Sequence, residues 1–156
     1  MSEEDALRVA AVVRSGRLAQ GVEVEGFERE LARRLGVAAA AAVSSGSAAL
    51  ELALAALGVG PGGEVVVPTY ACDALHHAVT RCGAVPVLAD ADPETLGVSA
   101  KDVARRLTPR TRAIIVVHPF GLAVDLDDFL ALGLPVVEDC AQAIGAAYGG
   151  RPAGSR

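Results

Sequence analysis

Lysine is nearly absent from this sequence, with Lys101 the sole example, and tryptophan is missing altogether. Aromatic residues make up only 3% of the chain, and no basic run is interleaved with them. With a net charge of −5 and a pI near 5.1, nothing here offers the positive surface that nucleic acid requires, so nucleic acid is excluded as a partner. Long hydrophobic runs are lacking too. No apolar stretch reaches the length of a membrane span without a glycine, proline or charge interrupting it, which excludes a membrane role of that kind. The opening Met1-Ser2-Glu3-Glu4-Asp5 is acidic and lacks the basic flank and apolar run of a secretory signal. Cysteine is scarce: Cys72, Cys82 and Cys140 are odd in number and in no disulfide-like spacing. The expected setting is the reducing cytoplasm.

What is present is a core. Hydrophobic residues supply 52% of the chain and charged residues 21%, the balance of a packed globular domain. The spacing predicts helices over 3–14 and 23–35, the second with Phe27, Leu31 and Leu35 at i, i+4 and i+8 and Gly36 as its stop. Val37–Val43 reads as a short buried strand. Ser44-Ser45-Gly46-Ser47 opens a helical run, Ala48–Leu57, and Gly58–Gly63 is a turn. Strands are then expected at Glu64–Val67, Ala84–Ala89, Ala113–Val117 and Pro135–Glu138. Helices over 71–82, 99–107 and 125–132 alternate with them. Near-continuous Val, Ile and Ala in the strands indicates an α/β fold with a mainly parallel sheet covered on both faces. The division expected is a helical segment over 1–36 and a larger domain over 37–156. The last residues, Gly149–Arg156, read as turn-like and closing no element, which suggests a domain incomplete at its C-terminus.

Ligands of such sheets gather at the carboxyl ends of the strands. Two segments are expected there. Ser44–Ala48 joins a strand to a helix. Ser45 is a good N-cap, Gly46 permits close backbone approach, and the free N–H groups of the first turn favour a phosphate, with the Ser47 hydroxyl as a further donor. Taken alone, the segment reads better as a simple capped helix, because a Ser-Gly-Ser cap is a common and weak motif. In Glu138-Asp139-Cys140-Ala141-Gln142, Asp139 ends a Val-rich strand, where a carboxylate needs a partner. A pyridinium N–H is a fitting one, and Gln142 lies three residues on. The competing structural reading has Asp139 capping the next turn and Glu138 in solvent.

Taken together and in order, Gln20-Gly21, Phe27-Glu28, Ser44–Leu50, Gly58-Val59-Gly60-Pro61-Gly62, Glu64–Tyr70, Pro86-Val87, Val117-His118-Pro119-Phe120-Gly121 and Glu138–Ala146 resemble the DegT/DnrJ/EryC1/StrS family. The resemblance implies a three-layer, mainly parallel sheet of the type I pyridoxal-phosphate (PLP) aminotransferase large domain. It also implies amino transfer to a nucleotide-linked keto sugar, a nucleotide-sugar substrate with an amino donor such as glutamate, and a homodimer. It further implies that Gly46 and Ser47 hold the cofactor phosphate and that Asp139 meets the pyridine nitrogen. Gln142 then lies near the ring oxygen, and His118 is close by in a lesser role. Cys72 falls where an aromatic side chain ordinarily stacks on the ring. The family's Schiff-base lysine has no counterpart. It lies beyond the glycine-rich turn matched by Gly149–Gly154, and Lys101 reads as a solvated charge at the start of a surface helix. The alternative is a non-catalytic remnant, or half of a split enzyme that binds a partner chain. A Rossmann nucleotide site is disfavoured, because no Gly-x-Gly-x-x-Gly follows a strand. No metal is expected: Cys72 and His76 share a helix face, but a third ligand is not evident.

Overall fold

The structure is a computed structural model that describes residues 2–156. The chain folds as two compact units, one reaching to Ala42 and the other spanning Val43–Arg156.

The first unit holds two helices, α1 (Glu3–Ser15) and α2 (Val22–Leu35). Ser2 and Asp5 form a reciprocal capping box at the start of α1, and Gly16 ends it in the left-handed conformation. Along α2, Glu30 accepts from both Arg33 and Arg34, which holds its carboxyl down to about 2. The strand expected over Val37–Val43 does not form. The Val37 N–H closes α2 on the Ala32 carbonyl, the Ala42 N–H donates to Glu28 Oε1 at 2.7 Å, and Gln20 Nε2 donates to the Ala42 carbonyl at 3.3 Å. An alanine run carries little β preference, so local bonds to the helices decide its course. The division therefore falls after Ala42 rather than at Gly36.

The second unit is built on four parallel strands in the order β2-β1-β3-β4. They are β1 (Glu64–Pro68), β2 (Val85–Ala89), β3 (Thr111–Val117) and β4 (Val136–Asp139). Helix α3 (Gly46–Ala56) precedes β1, and α4 (Ala74–Arg81), α5 (Ala100–Arg106) and α6 (Asp127–Leu130) run between the strands. Strand side chains alternate between faces. Val65 and Val67 of β1, with Ala113 and Ile115 of β3, pack against Leu54 of α3 and Leu75, Ala78 and Val79 of α4. Val66, Ile114 and Val116 turn the other way, onto Val103 of α5 and Phe129 of α6. Three layers result, and the mainly parallel sheet covered on both faces is as the sequence led us to expect.

Several boundaries differ. Helix α4 begins only at Ala74, because residues 69–72 bend away from the end of β1. The expected 125–132 helix shortens to Asp127–Leu130, since Asp125 Oδ1 accepts the Asp127 N–H in a local turn at 3.0 Å. The final residues do form an element, contrary to expectation. Ala147–Tyr148 (β5) and Arg151–Pro152 (β6) pair antiparallel around Gly149-Gly150, both at positive φ, as a two-residue hairpin turn requires.

Candidate active site

The strand order reverses between β1 and β3, because the chain leaves β1 for β2 on one side and returns to β3 on the other. In a parallel sheet this reversal opens a crevice at the carboxyl ends. A cleft of about 230 Å³ lies there. Thr69, Tyr70, Ala71 and Cys72 line it from the end of β1, Val117, Pro119 and Phe120 from the end of β3, and Gln142 from beyond β4. Cys72 and Gln142, both expected at a ligand site, are thus brought together. The segment after β3 is a 3-10 turn, Pro119–Gly121, in which Phe120 adopts φ 52° and ψ 25°. Bulky residues rarely enter this left-handed region, which costs roughly 1–2 kcal/mol. Gln142 Oε1 holds it by accepting the Phe120 N–H at 3.0 Å.

Asp139 closes β4 beside this cleft. Its position is set by parity: Val137 packs with the α3/α4 layer and Val136 with the α5/α6 layer, so Asp139 faces the former side and Glu138 the latter. Asp139 Oδ1 accepts the Ala141 N–H at 3.0 Å, while Oδ2 makes no hydrogen bond among the described residues. One oxygen therefore fixes the carboxylate and the other is open to a donor. Helix α3 packs on the same face through Leu54. A short turn joins its C-terminus to the start of β1, so its N-terminus points to the carboxyl edge of the sheet. Ser45 caps it by accepting the Ala48 N–H at 3.1 Å. The N–H groups of Gly46 and Ser47 have no acceptor within the helix. A Cβ built at Gly46 meets nothing within 4 Å, so the space ahead of the turn is open. Gly46, Ser47 and Asp139 do not line the cleft itself.

His118 is placed elsewhere than expected. It follows Val116 in parity and lies on the α5/α6 face, only 1% exposed. Its Nδ1 accepts the Val124 N–H at 2.9 Å and therefore carries no proton, which leaves the proton on Nε2, donated to Glu138 Oε2 at 3.0 Å. Both nitrogens are used, so His118 has none to offer a cofactor ring. Nor is Glu138 in solvent. Its side chain is 6% exposed and also accepts the N–H groups of Gly154 (2.7 Å, Oε2) and Arg156 (2.9 Å, Oε1). Cys140 completes a cluster whose ligand atoms lie within 4.8 Å of one another. Burial, and then the Glu138 and Asp139 charges, push its thiol up to about 12, so it stays protonated. With imidazole and carboxylate already satisfied by donors, the cluster works as a hydrogen-bond network that ties β3, β4 and the chain end together.

The model of the DegT/DnrJ/EryC1/StrS aminotransferase family matches residues 1–156. The chain belongs to this family. It is 45% identical over 133 residues to the GDP-perosamine synthase of Caulobacter vibrioides, a match covering 83% of this chain and 36% of that protein. It superimposes on S. venezuelae DesV, solved in complex with a ketimine intermediate, with a TM-score of 0.95 and 42% identity, over 98% of this chain and 42% of that one. The PLP form of Spr1654 from Streptococcus pneumoniae gives a TM-score of 0.94 at 29% identity, covering 99% of this chain and 44% of that one. The chain thus spans well under half the length of these relatives. Pyridoxal phosphate is the family's cofactor. The residues here fit that group: among the described residues, Asp139 Oδ2, the Gln142 amide nitrogen and the N–H groups of Gly46 and Ser47 at the start of α3 make no hydrogen bond, which leaves an acceptor for a ring N–H and donors for a ring oxygen and a phosphate. Two features escaped the sequence reading. The Glu138 network was legible only through strand parity, which sets Glu138 opposite Asp139. The Tyr70–Phe120 pair lay within segments noted only for their family resemblance.

Proposed function

We propose that this chain forms the cofactor-holding part of a PLP-dependent aminotransferase acting on a nucleotide-linked keto sugar. On this reading it works in the cytoplasm as part of a homodimer. The observation that carries the reading is Asp139, fixed by the Ala141 N–H and left with one oxygen free at the carboxyl edge of a parallel sheet. When bound, pyridoxal phosphate supplies a carbonyl carbon that exchanges the amino group and a protonated ring that withdraws electrons. Asp139 keeps the proton on the ring nitrogen, because a neighbouring carboxylate favours the cationic form. Gln142 offers its amide nitrogen to the ring oxygen, its own oxygen being held by Phe120. Gly46 and Ser47 direct the first N–H groups of α3 at the phosphate. Lys101 stands exposed on α5, in the layer away from Asp139, so the Schiff-base lysine is assigned to none of these residues.

The test uses pyridoxamine 5′-phosphate, which carries no aldehyde and so cannot label Lys101 adventitiously. Its fluorescence anisotropy is followed on titration with the purified chain and with Asp139→Asn. Saturable binding that weakens at least tenfold in the variant is expected, the size of one charge-assisted hydrogen bond. Absence of binding by the unaltered chain, or equal binding by both, overturns the reading.

A further inference from the structure

We propose that His118 and Glu138 are positioning residues: from the α5/α6 face of the sheet they fix the end of β4, so that the open oxygen of Asp139 stands where the ring nitrogen meets it. This rests on the function proposed above and adds to it two residues that touch no cofactor. Strand β4 is four residues long and, among the described residues, pairs with β3 alone. Asp139 is its last residue, and the last rung of its ladder is the His118 N–H, which donates to the Asp139 carbonyl at 3.0 Å. The end of a short edge strand is where a sheet frays first. His118 grips it twice, because its backbone holds Asp139 while its imidazole donates to Glu138 at 3.0 Å. Nδ1 accepts the Val124 N–H at 2.9 Å, so the imidazole itself is not free to turn. Two residues on, the Phe120 N–H donates to Gln142 Oε1. One short stretch, from His118 to Phe120, thus holds both polar residues assigned to the ring.

Stability alone does not account for the choice of these residues. His118 is 1% exposed and the Glu138 side chain 6%. Burying an imidazole and a carboxylate costs desolvation, and well-packed apolar residues at such positions often hold a fold as well or better. What an apolar pair lacks is direction. A hydrogen bond tolerates little change in length or angle, whereas packed methyl groups slide past one another. Direction matters at this point of the strand more than before it. Glu138 and Asp139 are adjacent on opposite faces, so any roll of the β4 backbone that displaces one carboxylate displaces the other. The bond from the Ala141 N–H to Asp139 Oδ1 lies within the same turn, travels with it, and cannot correct such a roll. The grip on Glu138 comes instead from β3 and from the Gly154 and Arg156 N–H groups, all outside β4. A carboxylate favours a cationic ring only at close range and in line with the N–H, so the Asp139 contact depends on that outside hold.

The experiment is the pyridoxamine 5′-phosphate titration extended to His118→Phe, alone and combined with Asp139→Asn, with far-ultraviolet circular dichroism as a folding control. Phenylalanine keeps the ring volume and removes both nitrogens. Affinity is expected to fall about fivefold in His118→Phe, and to fall no further when that change is added to Asp139→Asn, because a residue acting through Asp139 then has nothing to act on. Isotopic labelling of the ring nitrogen reads its protonation directly by its chemical shift. The bound ring should lose its proton about one pH unit lower in His118→Phe than in the unaltered chain. His118→Gln returns a donor to Glu138 and should recover most of both losses. If Asp139→Asn weakens binding and His118→Phe does not, positioning is wrong and the proposed function stands. If His118→Phe weakens binding as much with Asn at 139 as with Asp, the loss is general loosening, and positioning is again wrong. A folded His118→Gln as weak as His118→Phe sinks it too, since the hydrogen bond then counts for nothing. Should His118→Phe lose the native spectrum, Glu138→Asp takes its place in the cycle with the same outcomes, keeping the charge but withdrawing the oxygens from the imidazole. If the unaltered chain does not bind, or binds no better than Asp139→Asn, positioning falls together with the function it rests on.

Discussion

Replacing Glu138 tests the network on the α5/α6 face. Three donors converge on its carboxylate, but they are not equivalent. His118 Nε2–H is fully buried, the Gly154 N–H is half-buried, and the Arg156 N–H belongs to an exposed residue. In Glu138→Ala the imidazole loses its acceptor where no water reaches it, at about 1–3 kcal/mol. Gly154 adds about 1 kcal/mol, and water takes over at Arg156. The expected loss is about 2–4 kcal/mol. Glu138→Gln differs for a geometric reason. The two shielded donors share the same oxygen, Oε2, so a single amide oxygen serves both. The amide nitrogen then faces the Arg156 N–H, where solvent relieves the clash, and the expected loss is about 1 kcal/mol or less. Urea unfolding of the three proteins, followed by circular dichroism, reads this as a shift in midpoint at constant slope. An alanine variant within about 1 kcal/mol of the unaltered chain, or a glutamine variant as damaged as the alanine, refutes the network.

Two other outcomes follow from the same structure. Cys140 titrates near 9 when unfolded but is pushed to about 12 in the fold, so the unfolded chain alone releases this proton as pH rises between those values. Stability should therefore fall from about pH 9 upward, and Cys140→Ala should flatten that fall. Urea midpoints at about pH 8 and pH 10.5 check this, and an unchanged slope in the variant contradicts it. Ser45→Ala removes the cap of α3 and should cost about 1 kcal/mol, measured by the same unfolding assay. No loss would mean that the α3 end frays without the hydroxyl mattering.

Much of the architecture was legible because the middles of β1 and β3 are runs of Val, Ile and Ala between helical stretches, the pattern of a parallel sheet covered on both faces. Asp139 and Gln142 could be singled out because the strand before them is apolar and their spacing is local. His118 could not be placed that way. Its partner lies twenty residues on, on a strand that pairs with its own, and only the register brings the two together. Val37–Val43 misled because its apolar character suggested burial in a strand while its alanines carry little β preference. The hairpin at the chain end carried a usable signal, Gly149-Gly150 between two short extended pairs, which read as turn alone.

Glu138 and Asp139 are adjacent yet serve opposite sides of one sheet. The strand that carries them can therefore tolerate a change of composition but not of length. Exchanging valine for isoleucine at Val136 or Val137 alters volume by a methylene. Deleting either residue instead trades the faces of the two carboxylates, turning Asp139 toward the His118 side and Glu138 toward the α3/α4 side. Lineages of this fold should accordingly accumulate substitutions freely before Glu138 while insertions and deletions collect in the loops on either side, and a library built to diversify the cleft should vary those loops and leave the strand's residue count fixed.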